Sequence, residues 1–334
     1  MGTREGLRAI ARAVRGAGRV LLSTHINPDG DAVGSVLALR GILKAAGVDA
    51  EVVMQDEIPE KYRFLMDTPV RTAGDPELEA EIAERPFSMA IFLDSSDMER
   101  VGVVSGRLDR WLVEGAPLAN IDHHVGNTGY GDLVAVDGER ASCAELIMEL
   151  AEILAVELTP WMADQLFAAV LTDTGRFMFS NTTPEALQAA GRLVRAGADP
   201  TRITERIYFE RPSAFYQLIG DILSRIQLHN GGQICVMTLT EETSRRFFPE
   251  GHVDTEGIVD FSVQIDGVEL GAFVRQVGPQ AWRVSLRSRG HVDVRPVAEL
   301  FGGGGHEKAA GCRIEGSLED VTTSIVAEMK RKLV

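Results

Sequence analysis

The sequence has few cysteines and no long apolar run, and both absences restrict the class of protein. Its three cysteines, Cys143, Cys235 and Cys312, lie far apart. That pattern is typical of buried thiols in a reducing compartment, and it argues against a disulfide framework or a zinc site. No run of 18 or more residues is apolar, so we expect neither a transmembrane helix nor a membrane partner. Residues 1–20 lack the apolar core of a secretory signal, so we expect a cytoplasmic protein.

The sequence also lacks an excess of basic over acidic residues. The 334 residues include 34 Lys and Arg against 49 Asp and Glu, which gives a formal net charge of −15. Because long nucleic acids are bound through many Lys and Arg contacts to phosphate, so acidic a chain is a poor candidate for binding them. The balance changes along the chain, since residues 270–334 hold ten basic and seven acidic residues. This C-terminal region can therefore hold a small anionic substrate.

The chain has no flexible Gly- and Ser-rich segment and no internal repeat, so its domains are expected to follow one another closely. Strands that alternate with helices predict an α/β domain over residues 1–191, with a parallel sheet and helices on both faces. Residues 192–212 predict a helical linker. Residues 213–334 predict a smaller α/β domain with a mixed sheet, and we expect a cleft between the two domains.

One short stretch concentrates groups that can bind metal. Residues 19–23 read as a buried strand, and residues 30–46 read as a helix. Between them and at the helix start lie His25, Asp29 and Asp31. Such groups repel one another unless a cation lies among them. Asp29 and Asp31 are one residue apart and cannot easily reach the same ion, so the pattern favours two adjacent ions.

Further groups of the same chemistry follow other apolar runs. Asp94 and the Asp122-His123-His124 triplet follow predicted strands, and Asp173 follows a predicted helix. Taken singly, an Asp in such a place is about as often a turn or helix cap. The carboxyl ends of strands in an open α/β sheet gather at one edge, so the joint occurrence favours a shared site. Mixed oxygen and nitrogen ligands suit manganese, cobalt or iron, and two such ions form a clamp for attack at phosphorus.

The C-terminal region supplies candidate anion-binding groups. In residues 282–289 apolar side chains alternate with Arg283, Ser285, Arg287 and Arg289, which predicts either a phosphate-binding row or a solvated sheet face. Arg100, near the predicted metal site, is about as consistent with a phosphate contact as with a surface position. Four consecutive glycines precede His306, and the residues after it, EKAAG, predict the start of a helix.

These motifs together resemble a known family. The set His25-x-x-x-Asp29-x-Asp31, Asp94, Asp122-His123-His124 and Asp173 is similar, in order and spacing, to the DHH phosphoesterases. Residues 301–306 with Ala309-Ala310-Gly311 resemble the hallmark of the associated DHHA1 domain. Length and domain order are similar to the family's bacterial oligoribonuclease and 3'-phosphoadenosine-5'-phosphate phosphatase group, often called nanoRNases.

The resemblance implies a role for each motif residue. It assigns His25 and Asp29 to the first ion. It assigns Asp31, His123 and Asp173 to the second ion, and Asp94 to both. It implies two divalent ions, with Mn²⁺ preferred and Mg²⁺ or Co²⁺ left open. Asp122 is expected to orient an imidazole, and His124 to bind the phosphate and assist the leaving oxygen. The remaining predicted substrate contacts are Arg100, Arg287, Arg289, Gly304, Gly305 and His306.

The expected activity is hydrolysis of very short RNA to nucleoside 5'-monophosphates, with 3'-phosphoadenosine-5'-phosphate as a further substrate. The sequence leaves open a cyclic or linear dinucleotide phosphodiesterase. It also leaves open a nucleotide sensor without catalysis, although an intact ligand set argues against that class. The resemblance further leaves a homodimer open.

Overall fold

The computed structural model describes residues 2–249 and 253–333, and the chain divides into two compact units after Glu210. The strands of the first unit are Arg19–Ser23 (β1), Asp49–Met54 (β2), Arg71–Thr72 (β3), Met89–Leu93 (β4), Leu118–Asp122 (β5) and Leu133–Val136 (β6). They form one sheet in the order β3-β2-β1-β4-β5-β6, and every pairing between neighbours is parallel. The predicted parallel sheet is confirmed.

The helices of the first unit cover both faces of this sheet, as predicted. They are Thr3–Gly16 (α1), Gly30–Ala45 (α2), Pro76–Glu84 (α3), Leu108–Trp111 (α4), Cys143–Leu154 (α5), Pro160–Asp173 (α6), Pro184–Arg195 (α7) and Pro200–Thr204 (α8). Val20 and Leu22 of β1 belong to the core that α1, α2, α5 and α6 cover, whereas Leu21 belongs to the core under α3 and α4. Because successive strand residues point to opposite faces, an apolar run such as that of β1 needs helices on both sides.

Two glycines let α2 lie directly against α6. A Cβ atom on Gly34 would come 2.3 Å from the carbonyl oxygen of Gln165 and 3.0 Å from Cβ of Ala169. A Cβ atom on Gly30 would overlap the side chain of Thr172. This close approach sets the separation between the start of α2, which carries Asp31, and the end of α6.

Much of the segment predicted as a linker packs into the first unit. Residues 200–209 form α8 and a following π-helical turn, Glu205–Phe209. Ile203 and Ile207 from these turns are buried in the same core as α2 and α6. The limits of the linker stay a prediction, but this part of it contributes apolar packing to the first unit.

The second unit contains a six-stranded mixed sheet. Its strands are Gln227–His229 (β7), Ile234–Leu239 (β8), Leu270–Gly278 (β9), Ala281–Ser288 (β10), Gly304–Gly305 (β11) and Ala309–Glu315 (β12). Its helices are Ser213–Leu223 (α9), Glu241–Phe247 (α10), Arg295–Glu299 (α11) and Leu318–Lys332 (α12). The strand order is β11-β12-β10-β9-β8-β7, and β8 with β9 is the parallel pair among antiparallel ones. The predicted mixed α/β architecture is confirmed.

One local prediction in this unit was wrong. The residues after His306 do not begin a helix, because Ala309 starts β12 and pairs with Arg287 of β10. A Cβ atom on Gly303 would lie 2.1 Å from the carbonyl oxygen of Gly311, so glycine permits this tight pairing of the two segments. A 3-10 helix, Ile258–Gln264, precedes β9.

None of the helices within the described ranges combines the length and the apolar character needed to cross a bilayer.

We expect Gly34→Ala to destabilise the protein. Alanine favours a helix by about 1 kcal/mol over glycine, but the added methyl group would overlap α6 and cost about 1–3 kcal/mol through overpacking. Urea unfolding measures the net change. Gly220→Ala in α9 is the control, because nothing lies within 4 Å of a Cβ atom there and the position is exposed. Equal stabilisation of both variants would show that α2 and α6 are not held at this separation.

Candidate metal centre

The predicted ligands converge where the strand order of the first unit reverses. The chain runs outward from β1 through β2 to β3, and then returns to place β4 on the other side of β1. Loops that leave neighbouring parallel strands at such a point diverge and form a crevice at their carboxyl ends. His25 follows β1, Asp94 follows β4, and Asp122 ends β5. The topology therefore explains why residues nearly 100 positions apart share one site.

The start of α2 positions the two nearby carboxylates. Asp29 caps the helix, and its Oδ1 accepts hydrogen bonds of 3.1 Å from the backbone N–H groups of Asp31 and Ala32. Asp31 lies in the first turn, where its Oδ1 accepts from the Ser35 hydroxyl at 2.8 Å and its Oδ2 from the backbone N–H of Cys143 at 2.7 Å. The capping role considered for a lone Asp thus occupies one oxygen of Asp29 and leaves Oδ2 for the site.

The first group of ligating atoms surrounds His25. Its Nε2 lies 3.6 Å from Oδ2 of Asp94 and 3.8 Å from Oδ2 of Asp29. Its Nδ1 lies 2.8 Å from the carbonyl oxygen of Ile26, and because a carbonyl oxygen can only accept a hydrogen bond, Nδ1 carries the hydrogen. In the neutral ring, Nε2 then carries the lone pair and faces the carboxylates, which is the tautomer that a metal ligand requires. Burial alone would lower the pKa of His25, but Asp29 and Asp94 raise it well above its usual range, so a bound metal ion would displace a proton from Nε2.

The second group surrounds His123 in the same way. Its Nε2 lies 3.6 Å from Oδ2 of Asp31, 3.6 Å from Oδ2 of Asp173 and 3.3 Å from Oδ1 of Asp94. Its Nδ1 lies 3.2 Å from the carbonyl oxygen of Arg140, so Nε2 again carries the lone pair when the ring is neutral. Asp94 thus presents one oxygen to each histidine.

Asp94 itself is held in a demanding position. Its backbone has φ of 52°, in the left-handed region that non-glycine residues rarely adopt. The carboxylate is buried, and its Oδ1 has no hydrogen-bond partner of normal geometry among the described residues. A buried, unpartnered carboxylate oxygen is costly unless a cation compensates it. This orphaned oxygen and the mixed donor set fit divalent ions.

Asp122 and His124 form a separate pair beside these groups. Oδ1 of Asp122 accepts from Nδ1 of His124 at 2.7 Å and from the backbone N–H of His123 at 2.8 Å. Its Oδ2 accepts from the side-chain amide of Asn127 at 2.6 Å. The carboxylate therefore fixes the orientation of the His124 ring and also holds the backbone N–H of His123.

The charges of the carboxylates are strongly perturbed. Burial, with Asp94 close by, raises the pKa of Asp31 well above its usual range. Burial and the nearby Asp29 and Asp94 raise the pKa of Asp173 to about 7. Burial also favours the neutral form of Asp94, but the two imidazoles in contact with it hold the pKa of this carboxyl well below its usual range. Without cations, the site therefore retains protons on part of its carboxylates at neutral pH.

Some supporting contacts were not predicted. The side-chain amide of Asn181 donates to the carbonyl oxygens of Ala141, at 3.2 Å, and Asp173, at 3.1 Å, and so ties the end of α6 to the loop before α5. Asn127 was also missed, although it lies only five residues after Asp122. A single asparagine in a loop carries no pattern by which sequence analysis could separate it from an ordinary turn residue.

The predicted substrate-binding residues occupy different settings. Arg100 is exposed, and its carbonyl oxygen accepts from the backbone N–H of Ile26 at 2.7 Å, so it lies beside the His25 loop. The guanidinium of Arg287 contacts the carboxylate of Asp260 through Nε at 2.8 Å.

Arg289 and residues 302–306, here called the glycine loop, complete this predicted set. Arg289 is exposed one residue beyond the end of β10, and Gly304 and Gly305 form β11. The backbone of the exposed His306 exchanges hydrogen bonds with that of Ala309, which closes a tight turn between β11 and β12.

The chain matches two known domain families over much of its length. The DHH family, N-terminal domain, matches residues 19–171, and the DHHA1 domain matches residues 252–334. The protein named bifunctional oligoribonuclease and PAP phosphatase NrnA from Thermus thermophilus is 34% identical over 329 residues, which are 98% of this chain and 94% of that protein. The chain belongs to the DHH phosphoesterase family. Phosphoesterases of this family are metal-dependent hydrolases, in agreement with the ligand geometry.

Two further comparisons agree with this assignment. A Bacillus subtilis protein of the same name is 29% identical over 300 residues, or 88% of this chain and 89% of that protein. The crystal structure of an exopolyphosphatase-related protein from Bacteroides fragilis superimposes with a TM-score of 0.88 at 22% identity and covers 98% of this chain and 96% of that one. The latter likeness shows a shared fold.

We expect metal binding to weaken as the pH falls below 7. Since Asp173 without metal titrates near 7, an ion that binds its carboxylate must displace a proton at pH 6 but much less at pH 8. Affinity should fall about tenfold per pH unit for each displaced proton. Calorimetric titration with Mn²⁺ in two buffers of different ionisation enthalpy measures the released protons. Equal proton release at pH 6 and pH 8 would contradict the raised pKa.

Proposed function

We propose that this chain hydrolyses very short RNA oligonucleotides to nucleoside 5'-monophosphates and also removes phosphate from 3'-phosphoadenosine-5'-phosphate. The observation that carries the proposal is the double group of ligating atoms that shares Asp94. The names of the Thermus and Bacillus relatives support the choice of substrate. The proposal includes a cytoplasmic location and leaves room for a homodimer.

The residues proposed to hold two divalent ions, Mn²⁺ preferred, are His25 and Asp29 for one, Asp31, His123 and Asp173 for the other, and Asp94 for both. Each group presents ligating atoms within 4.8 Å of one another, and Asp94 turns a different oxygen to each histidine. When bound, such ions supply Lewis-acid chemistry, which activates water and stabilises the charge that develops on phosphoryl oxygens. The backbone contacts of both histidine Nδ1 atoms keep the lone pairs of Nε2 directed to this purpose.

His124 is proposed to bind the phosphate and assist the leaving oxygen. Asp122 fixes a proton on its Nδ1, so a second proton on Nε2 makes the ring a cation that the carboxylate stabilises. Such a group can donate a hydrogen bond to a phosphoryl oxygen and a proton to the leaving alkoxide. Asp122 acts through this ring and touches no substrate in the proposed role.

The second unit is proposed to bind the remainder of the substrate. Asp260 orients the guanidinium of Arg287, whose planar fork suits phosphate. Arg289, Gly304, Gly305 and His306 are the other proposed contacts. Gly305 adopts φ of 139°, a conformation that side chains rarely allow, and the exposed glycine backbone permits close approach of a ligand. Arg100 of the first unit is proposed to contact a phosphate.

We expect Asp94→Asn to be the most damaging single change among the proposed ligands. Loss of the shared charge should weaken the binding of both ions. Metal content should therefore fall below two ions per chain, and turnover of a dinucleotide should fall with it. Elemental analysis and turnover are measured on the same sample with Mn²⁺ in excess. Asp109→Asn, an exposed aspartate of the same unit, is the matched control. Near-normal turnover of Asp94→Asn would exclude a shared carboxylate, and one ion per wild-type chain would exclude the pair.

We expect Arg287→Ala and His306→Ala to impair binding of nucleotides more than the chemical step. Loss of one charge-assisted phosphate contact costs roughly 1.5–3 kcal/mol, or about ten- to a hundredfold in affinity. The value of kcat/KM for a dinucleotide should fall accordingly, whereas that for a p-nitrophenyl phosphate ester should change little. Proposed metal-ligand variants should lose both substrates alike. Equal losses on both substrates in the Arg287 and His306 variants would mean that the second unit helps to build the catalytic site.

A further inference from the structure

Three arginines lie side by side across the sheet of the second unit. The antiparallel register places Arg283 of β10 directly opposite Arg275 of β9 on one side and Arg313 of β12 on the other. Residues directly opposite each other in antiparallel strands point to the same face, with Cβ atoms about 4.5–5.5 Å apart. The three side chains, here called the arginine row, therefore emerge from adjacent strands on one face.

This face is opposite the apolar core under α12. Trp282 and Val284, the neighbours of Arg283 in β10, are buried in that core, so the arginine row points the other way. Arg283 and Arg313 are exposed, and Arg275 is half-buried.

Like charges directly opposite one another destabilise a sheet. Within the described part of the chain, no carboxylate forms an ion pair with any residue of the arginine row, although most arginines of this acidic protein have such a partner. Burial and the guanidinium of Arg283 lower the pKa of Arg275, which reflects the same repulsion. The carboxylate of Asp254, which forms an ion pair with Arg211, offsets part of this shift. A row of cations that lack ion-pair partners of their own among the described residues is typical of an anion-binding surface.

The surface between the arginine row and the glycine loop suits an extended ligand. Arg287 lies four residues further along β10, about 13 Å at the rise of a strand, and pairs there with the start of β12. Between the two positions Ser285 lies opposite Gly311 of β12, which has no side chain, and opposite the buried Phe273 of β9 on its other side, so the open path follows β10 and β12. A backbone with regularly spaced negative charges can therefore approach the sheet along this path.

We propose that the arginine row binds the phosphodiester backbone of a single-stranded oligonucleotide, beyond the nucleotide held near Arg287 and the glycine loop. The inference rests on the proposed function and adds a subsite that reads length rather than base sequence. A mononucleotide substrate is too short to reach both positions. The arginine row should therefore favour longer oligonucleotides over 3'-phosphoadenosine-5'-phosphate.

The test is Arg283→Gln in the full-length chain, measured by fluorescence anisotropy with a labelled RNA pentamer in chelator to prevent hydrolysis. We expect about tenfold weaker binding and a salt dependence, log K against log salt, shallower by about 0.7 for each lost phosphate contact. Affinity for 3'-phosphoadenosine-5'-phosphate should stay the same. Arg331→Gln is the matched control, since it makes the same charge change on α12, on the opposite side of the sheet.

Stability separates a binding role from a structural one. Because Arg283 faces two like charges, Arg283→Gln should leave the melting temperature unchanged or raise it. A lower melting temperature with unchanged pentamer affinity would overturn the proposal and assign a structural role to the arginine row.

Two further ligands test the assigned chemistry. A pentamer with neutral methylphosphonate linkages should bind wild type and Arg283→Gln equally. An acidic peptide of the same charge serves as a second ligand. If it binds the wild type as tightly as the RNA pentamer does, or more tightly, and loses this binding in Arg283→Gln, the arginine row would instead bind a protein partner. If pentamer binding is unaffected in Arg283→Gln while the wild type still cleaves a dinucleotide, the inference fails and the proposed function stands. If the wild type cleaves no oligonucleotide, the proposed function fails independently.

Discussion

A buried carboxylate in contact with two imidazoles is the constraint on which the first unit depends. Asp94 has left-handed backbone geometry and a buried oxygen that receives no hydrogen bond of normal geometry from the described residues, and both are unfavourable for the protein alone. Its neighbours His25 and His123 follow β1 and β5, the strands on either side of β4, and backbone contacts at Nδ1 direct their Nε2 atoms toward this carboxylate. The surrounding structure must hold this arrangement against repulsion among carboxylates. The arrangement therefore lowers the stability of the protein without cations, and bound cations would offset that loss.

The supporting structure is built to resist that repulsion. The parallel order of β1, β4 and β5 brings together the three loops that carry proposed ligands. The glycines of α2 bring Asp31 close to the end of α6, which carries Asp173. Asp31 is buried and receives two hydrogen bonds, one from the start of α5. The imidazoles of His25 and His123 and the carboxylates of Asp29 and Asp31 each contact a backbone group, which limits how far these proposed ligands can relax when no cation is bound.

The sequence revealed the chemistry of the site because ligand chemistry depends on residue type. Asp or His after an apolar run is visible in one dimension, and the order of strands in a parallel sheet makes such residues neighbours. Cross-strand register is not visible in this way. Arg275 and Arg313 lie 38 positions apart in the chain, and only the pairing of both strands with β10 makes them neighbours of Arg283. The sequence predicts a helix after the glycine loop because the small residues there are visible in the sequence. The backbone segment of β12 that packs against these glycines is not visible in the sequence.

The two units solve opposite electrostatic problems. In the first unit, carboxylates outnumber nearby cationic groups, and part of them keep protons at neutral pH until a stronger cation replaces those protons. In the second unit, the arginine row is a local excess of positive charge within a chain whose net charge is −15. A nucleotide chain carries phosphate at regular intervals, so under the proposed function both units have a ligand of the same chemistry. In the first unit bound cations would link a phosphate to the carboxylates, and in the second unit guanidinium groups would contact phosphates. The negative net charge of the chain disfavours binding of long polyanions, in agreement with the proposal of short substrates.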